Sequence, residues 1–370
     1  MGKQVRVLVV DDSALMRRLI SDLLLSDPEI DVVGQAKDGL DALAKLAALK
    51  PDVITLDVEM PVLDGMETLK RIMKDQPTPV VMLSSLTQAG ADTTMQCLRL
   101  GAVDFVAKPS GTISADMRRV AQEITEKIKM ASGTVSTKKA RPEDAASTNS
   151  IAAGHTKLSL SLPELQSTFN ELAFQPKAEI LLIGASTGGP KALHYLIPKL
   201  PPHFGVPTII VQHLPSMFTR MMALQLQKET DLTVREAEEG DRLYAGTILV
   251  APGGRHLTLD GRGFVRLTDD PPLHGVRPAI DVTLASLIGF YGSAIAAVLL
   301  TGMGKDGAMG LKTLHDLGGI TVAEDHSTCV VYGMPKAAVE LKGVTHLLPL
   351  TDIPGQIART FAPCKIRAAC

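Results

Sequence analysis

The chain has only four cysteines, Cys97, Cys329, Cys364 and Cys370, and none stands in a CxxC pair or at metal-ligand spacing. That usage excludes a disulfide framework or zinc cluster and fits a reducing cytoplasm. Charge of one sign is equally scarce. Lys and Arg number 38 against 40 Asp and Glu, a formal net charge of -2, which gives no electrostatic reason to expect nucleic acid or an anionic membrane as partner. No apolar run reaches the roughly 20 residues that a membrane-spanning helix needs. The opening MGKQVRVLVVDD runs straight into a strand and acidic residues, unlike a signal peptide, so a soluble cytoplasmic protein without membrane insertion is expected. Internal repeats and heptads are missing, and residues 1–128 contain no histidine.

Short apolar runs alternate with helical patterns twice along the 370 residues. Val5–Val10, Val53–Leu56, Val80–Leu83 and Phe105–Ala107, with a weaker run near Val32, predict strands; Leu15–Leu25, Leu40–Leu49, Met66–Met73 and Thr93–Leu100 predict helices. This alternation predicts a parallel sheet covered on both faces over residues 1–128. Residues 129–177 turn small, polar and aperiodic, which predicts a flexible linker. Within it Leu162, Leu165, Phe169 and Leu172 recur at helical spacing, as in a short amphipathic helix that docks on a domain or a partner. Residues 178–370 resume the alternation, with strands at Ile180–Ile183, Thr208–Val211, Ile248–Ala251, Ala294–Leu300 and Ile320–Ala323. A second doubly wound, mostly parallel α/β domain follows.

Asp11 and Asp12 come directly after the first strand and Asp57 ends the third, so a parallel sheet brings all three to one crevice at its carboxyl edge. Like charges gathered there call for a hard divalent cation, Mg²⁺ by preference. Lys108, followed by Pro109, adds a positive charge to the rim, and Ser84 a hydroxyl. Singly, each acid could be a helix cap. Together they make a phosphoryl site with Asp57 as acceptor.

VLVVDDSALMRRLI, LDVEMPVLDGM, PVVMLSS and GAVDFVAKP resemble the receiver domains of two-component response regulators. The resemblance implies a flavodoxin-like five-stranded fold and phosphotransfer to Asp57 from a histidine kinase. It also implies Mg²⁺ held by Asp12, Asp57 and the backbone carbonyl of Glu59, with Asp11 acting through water. Ser84 and Phe105 would be the switch hydroxyl and switch aromatic.

In the second half, Ser186 sits in Gly184-Ala185-Ser186-Thr187-Gly188-Gly189-Pro190, between a strand and a helix. Such a turn can expose a serine beside helix N–H groups, although a phosphate loop or a plain turn would read alike. There is no G-x-G-x-x-G and no Walker lysine. A serine nucleophile needs a base, and the base an orienter. His213 closes the next strand, and Asp306 lies in the turn after Ala294–Leu300, so three strand ends offer Ser, His and Asp. His256 is the rival base. The order Ser, His, Asp differs from that of α/β-hydrolases.

IGASTGGP, IIVQHLPSMFTR, YAGTILVAPGGRHL, RPAIDVTLAS, LTGMGKDGAMG and CVVYGMP look like the catalytic domain of chemotaxis protein-glutamate methylesterases. The resemblance places Ser186, His213 and Asp306 at the triad, Met303 as backbone oxyanion donor and Thr187 as a supporting hydroxyl. It implies demethylation of chemoreceptor glutamates, deamidation of glutamines, and no cofactor at the esterase site. The partners expected are a histidine kinase and methylated receptor helices, acting on a monomer. An unphosphorylated receiver should cover the Ser186 crevice, so that a chain starting near Lys177 is more active. The rivals are a DNA-binding regulator, a silent scaffold, and the same esterase in a pathway outside motility. From Ala178 onward, 17 basic and 17 acidic residues and no helix-turn-helix pattern speak against DNA.

Overall fold

A computed structural model describes residues 4–85, 87–108, 116–138 and 178–361. Pro109, Cys364, Cys370 and the amphipathic pattern from Leu162 to Leu172 lie outside the described residues.

The first layer alternates β1 (Val5–Val10), α1 (Ala14–Leu25), β2 (Ile30–Ala36), α2 (Gly39–Leu49), β3 (Val53–Asp57), α3 (Gly65–Asp75), β4 (Val80–Ser84), α4 (Gln88–Leu100), β5 (Asp104–Ala107) and α5 (Asp116–Lys138). Its five strands are parallel in the order β2-β1-β3-β4-β5, the doubly wound arrangement expected. Every residue of β3 and β4 is buried, as central strands covered on both faces must be. Three helix starts are fixed by short polar caps: Asp38 accepts from the Asp41 N–H, Asp64 from that of Glu67, and Thr87 from that of Gly90.

The last helix of this layer corrects the sequence reading. It runs on to Lys138, ten residues into the stretch assigned to a linker from 129. Ile124, Ile128 and Ala131 lie fully buried on one face, so the apolar periodicity passes the expected boundary. Lys129 pairs with Asp27 at 2.7 Å and Glu29 at 2.5 Å, tying this extension to the body of the layer.

The second layer contains β6 (Ile180–Ala185), α6 (Gly189–Leu196), β7 (Thr208–Gln212), α7 (Ser216–Gln227), β8 (Thr233–Glu236), β9 (Thr247–Val250), β10 (His256–Leu259), β11 (Val265–Thr268), α8 (Ile280–Tyr291), β12 (Ile295–Leu299), α9 (Ala308–Asp316), β13 (Ile320–Glu324), α10 (Met334–Glu340), β14 (His346–Leu348) and α11 (Ile353–Thr360). Seven parallel strands run in the order β14-β13-β12-β6-β7-β9-β8, and β10 pairs with β11 as a separate antiparallel hairpin. The five expected strands form the centre of this sheet. Both edge strands went unpredicted because they are short and little buried: β8 buries only Val234, and β14 buries none of its residues fully.

One apolar cluster continues from the first sheet into the second, joining Leu98 and Phe105 to Leu193, Phe218 and Met222. Helix α4 lies against α6 and α7 at this junction. The two layers are therefore packed together.

Candidate active site

In the first sheet the chain order reverses between β1 and β3, and side chains at those strand ends meet there. Asp11, Asp12 and Asp57 each place an oxygen within 4.8 Å of the others. Asp11 is fully buried and Asp57 nearly so, whereas Asp12 faces solvent. Lys108 Nζ bridges the two buried acids, 2.8 Å from Asp11 Oδ2 and 2.7 Å from Asp57 Oδ2. Burial pushes the Asp57 carboxyl up to about 6, with Lys108 pulling the other way and the Asp11 charge adding to the rise. One ammonium thus faces three carboxylates, a donor set of hard oxygens that fits a divalent cation.

Ser84 is placed at the end of β4, and its hydrogen bonds among the described residues do not include Asp57. Its Oγ accepts from Thr94 Oγ1 at 2.6 Å and points at the carbonyls of Ser85 and Gly90, so it is tied to the first turns of α4. Glu59 approaches the same loop through its side chain, which accepts from Ser85 Oγ at 3.3 Å.

In the second sheet the order reverses between β6 and β12. Ser186 follows β6, and strand register sets His213 beside it: Ala185 pairs with Gln212, and the His213 N–H donates to the Ala185 carbonyl at 3.1 Å. On the other side, the Ser186 N–H donates to the Thr301 carbonyl at 3.0 Å, at the end of β12. Two glycines make this closeness possible. Gly188 caps α6 with φ +80°, and a Cβ there would lie 2.6 Å from Val330; a Cβ on Gly302 would lie 2.7 Å from that of Ser186.

His213 Nε2 lies 2.8 Å from Asp306 Oδ2. Asp306 also accepts the N–H groups of Ile280 at 2.6 Å and Asp281 at 3.0 Å, at the start of α8. Burial alone would raise its carboxyl, but His213 and these two donors hold it below the usual range. Asp306 is an anion held in place. The Ser186 hydroxyl and the Met303 N–H make no hydrogen bond among the described residues, and the Met303 side chain is exposed. His256, the rival base, is buried with both ring nitrogens occupied. Nδ1 accepts from the Ala279 N–H, and Nε2 faces the Pro271 carbonyl, each at 3.2 Å. It braces the approach to α8 and makes no hydrogen bond to Ser186 among the described residues.

Thr187, expected as a supporting hydroxyl, bonds across to the first layer. Its Oγ1 donates to Asp104 Oδ2 of β5 at 2.5 Å, so the residue beside Ser186 is bonded to the first layer. The other oxygen of Asp104 lies 3.2 Å from Lys127 Nζ and accepts from the Phe105 N–H. Phe105 itself lies on Phe218 of α7, with centroids 4.2 Å apart. Arg99 pairs with Glu229 at 2.9 Å, and Gln225 donates to Asp92 at 2.9 Å. Sequence gave no sign of these bonds, because their partners are 83 to 133 residues apart and obey no local spacing.

The chain is similar to known proteins over both layers. Residues 181–357 match the family described as CheB methylesterase, and residues 7–118 the response regulator receiver domain. A protein-glutamate methylesterase/protein-glutamine glutaminase of Symbiobacterium thermophilum is 47% identical over 364 residues, covering 96% of this chain and 97% of the relative. A protein of the same description from Thermotoga maritima is 44% identical over 356 residues, covering 95% and 97%. The solved CheB methylesterase catalytic domain of Thermotoga maritima is 42% identical and covers 49% of this chain and 98% of that one, with a TM-score of 0.48. With both layers and the junction between them spanned by relatives of one description, this chain belongs to the protein-glutamate methylesterase/protein-glutamine glutaminase family.

Proposed function

We propose that this protein is a phosphorylation-activated serine hydrolase that removes methyl esters from glutamate side chains of chemotaxis receptors and deamidates receptor glutamines. The observation that carries the reading is the Asp306 carboxylate, fixed on His213 Nε2 at the switch point beside Ser186. Ser186 Oγ attacks the ester carbonyl while His213 Nδ1 takes its proton, and Asp306 holds the tautomer and stabilises the imidazolium. The proton then goes to the departing methoxide, methanol leaves, and water releases the free glutamate by the same steps. Glutamine deamidation follows the same path with ammonia as leaving group. The Met303 N–H, which has no acceptor among the described residues, serves the developing oxyanion, a contribution of about 3 kcal/mol for such a donor.

In the receiver, Asp12, Asp57 and the Glu59 carbonyl would hold Mg²⁺, whose charge offsets the acids while Asp57 takes a phosphoryl group from a kinase histidine. Asp11 and Lys108 complete the crevice. Turning Ser84 toward phospho-Asp57 breaks its bond to Thr94 and loosens α4, the helix packed on α6 and α7. Phe105 and Asp104 lie on the next strand, and their hold on Phe218 and Thr187 weakens with it. Substrate then reaches Ser186.

The test is methanol release from methylated receptor by the full chain, with and without a small phosphodonor. Release that rises with the donor and vanishes in Ser186→Ala is expected. No methanol under either condition refutes the reading.

A further inference from the structure

Asp306 is held by more than His213. Its Oδ1 accepts the Asp281 N–H at 3.0 Å, in the first turn of α8. The Asp281 side chain reaches the opposite way, and its Oδ1 accepts the Gly310 N–H at 2.7 Å, in the first turn of α9. Helix α9 follows directly on the loop that carries Asp306. Two crossed hydrogen bonds therefore lock α8 to that loop: backbone of 281 to carboxylate of 306, and carboxylate of 281 to backbone of 310.

The remaining oxygen of Asp281 is bonded to His274, whose Nε2 lies 3.2 Å from Oδ2. His274 has φ +55°, a left-handed conformation uncommon outside glycine. Its loop is pinned by Arg277, whose guanidinium donates to the carbonyls of Asp269 and Asp270. His274, Asp281 and Asp306 each bring a polar atom within 4.8 Å of the others. Every carboxylate oxygen among them already has a protein donor, so the cluster is a brace and not an ion cage. Burial first, and the Asp306 charge after it, push the Asp281 carboxyl up. Two acids this close need fixed donors to keep their geometry.

Building on the hydrolase reading above, we infer that His274 and Asp281 are positioning residues for ester cleavage, which brace the loop that aims Asp306 at His213. The brace keeps His213 Nε2 on Asp306 and so leaves Nδ1 free for Ser186. A helix cap without this role would contribute to stability alone.

The experiment uses the full chain with a phosphodonor and methylated receptor, comparing wild type and Ser186→Ala with Asp281→Ala, Asp281→Asn, His274→Ala and His274→Gln. It reads kcat and KM of methanol release, and the low-field proton resonance shared by His213 and Asp306. Asp281→Ala should lower kcat on the order of 100-fold at unchanged KM and displace the resonance, since a misplaced catalytic group costs about that much. Asp281→Asn keeps an acceptor for Gly310 and should recover most of the rate. His274→Ala, at the surface, should lower kcat about tenfold, the effect of one lost hydrogen bond, and His274→Gln should restore it. Wild-type kcat and an unmoved resonance in both alanine variants overturn the brace, as do losses that Asn and Gln leave unrepaired. If Asp281→Ala fails to fold, the His274 pair decides. If wild type releases no methanol, the hydrolase reading fails, and the resonance still judges the brace.

Discussion

The crevice at Asp57 and the crevice at Ser186 both open where a parallel sheet reverses its chain order, between β1 and β3 in one and between β6 and β12 in the other. Each buries a carboxylate almost completely, Asp57 at 3% exposure and Asp306 at 2%. Burial pushes both upward, yet Asp57 ends high, at about 6, and Asp306 ends below the usual range. The difference lies in the neighbours. Asp57 shares one lysine with Asp11 and accepts one long bond from the Glu59 N–H at 3.4 Å, whereas Asp306 has an imidazole and two backbone N–H groups to itself. Depth alone does not assign a role to a buried acid; the donors around it do. The crowded one suits a site that changes charge state, and the well-supplied one suits a fixed anion.

The sharpest way to break that contrast is to remove each charge in turn. Asp306→Asn keeps the shape but invites the wrong imidazole tautomer, and kcat for methanol release should fall about 10⁴-fold, as in other triads. Asp57→Asn should leave hydrolysis without phosphodonor within about twofold and abolish the response to the donor. If the two variants exchanged these behaviours, the division of labour between the crevices would be wrong.

Much of this was legible because parallel strands deliver their carboxyl-end residues to one edge. Asp11, Asp57, Ser186, His213 and Asp306 all lie at strand ends or in the turns that follow, and β-strand periodicity is visible in apolar runs such as TIIVQ. What stayed illegible depends on contact between distant elements. The bond from Thr187 to Asp104 and the stacking of Phe105 on Phe218 join layers whose relative placement no local pattern encodes. The hairpin of β10 and β11 and the edge strands were missed for a different reason: strands of three or four residues with mixed burial carry too few periods to be counted. The brace at Asp281 was hidden because two of its bonds run through backbone N–H groups, which any residue could supply.

The junction between the layers gives a prediction of intermediate size. Asp104 binds Thr187 with one oxygen and faces Lys127 with the other. A hydrogen bond to a charged group contributes about 1.5–3 kcal/mol, so Asp104→Ala should raise hydrolysis by the unphosphorylated full chain by roughly tenfold. The phosphodonor should then add less. Deleting the receiver is the blunter test, because it uncovers Phe218, which Phe105 otherwise covers. Unchanged basal activity in Asp104→Ala would show that the bond does not hold the layers closed.

The smallest effect expected concerns stability and separates the two acids by pH. Asp57, raised from 3.8 to about 6, binds its proton more tightly when folded. Its ionisation therefore costs nothing below about pH 4, costs more as pH rises to 6, and levels off above. At pH 8 the full cost is on the order of 2–3 kcal/mol once some solvent screening is allowed for. Asp57→Asn should then raise the melting temperature at pH 8 and leave it unchanged near pH 4, and Mg²⁺ should stabilise wild type at pH 8 more than the variant. Asp306 has the opposite sign: its lowered carboxyl contributes stability that is present above 3.8 and lost as pH falls below it. Thermal melts of the two Asn variants between pH 3 and 8 should therefore diverge in opposite directions from wild type, Asp57→Asn more stable at the alkaline end and Asp306→Asn less. Curves that ran parallel would mean that burial alone governs both acids.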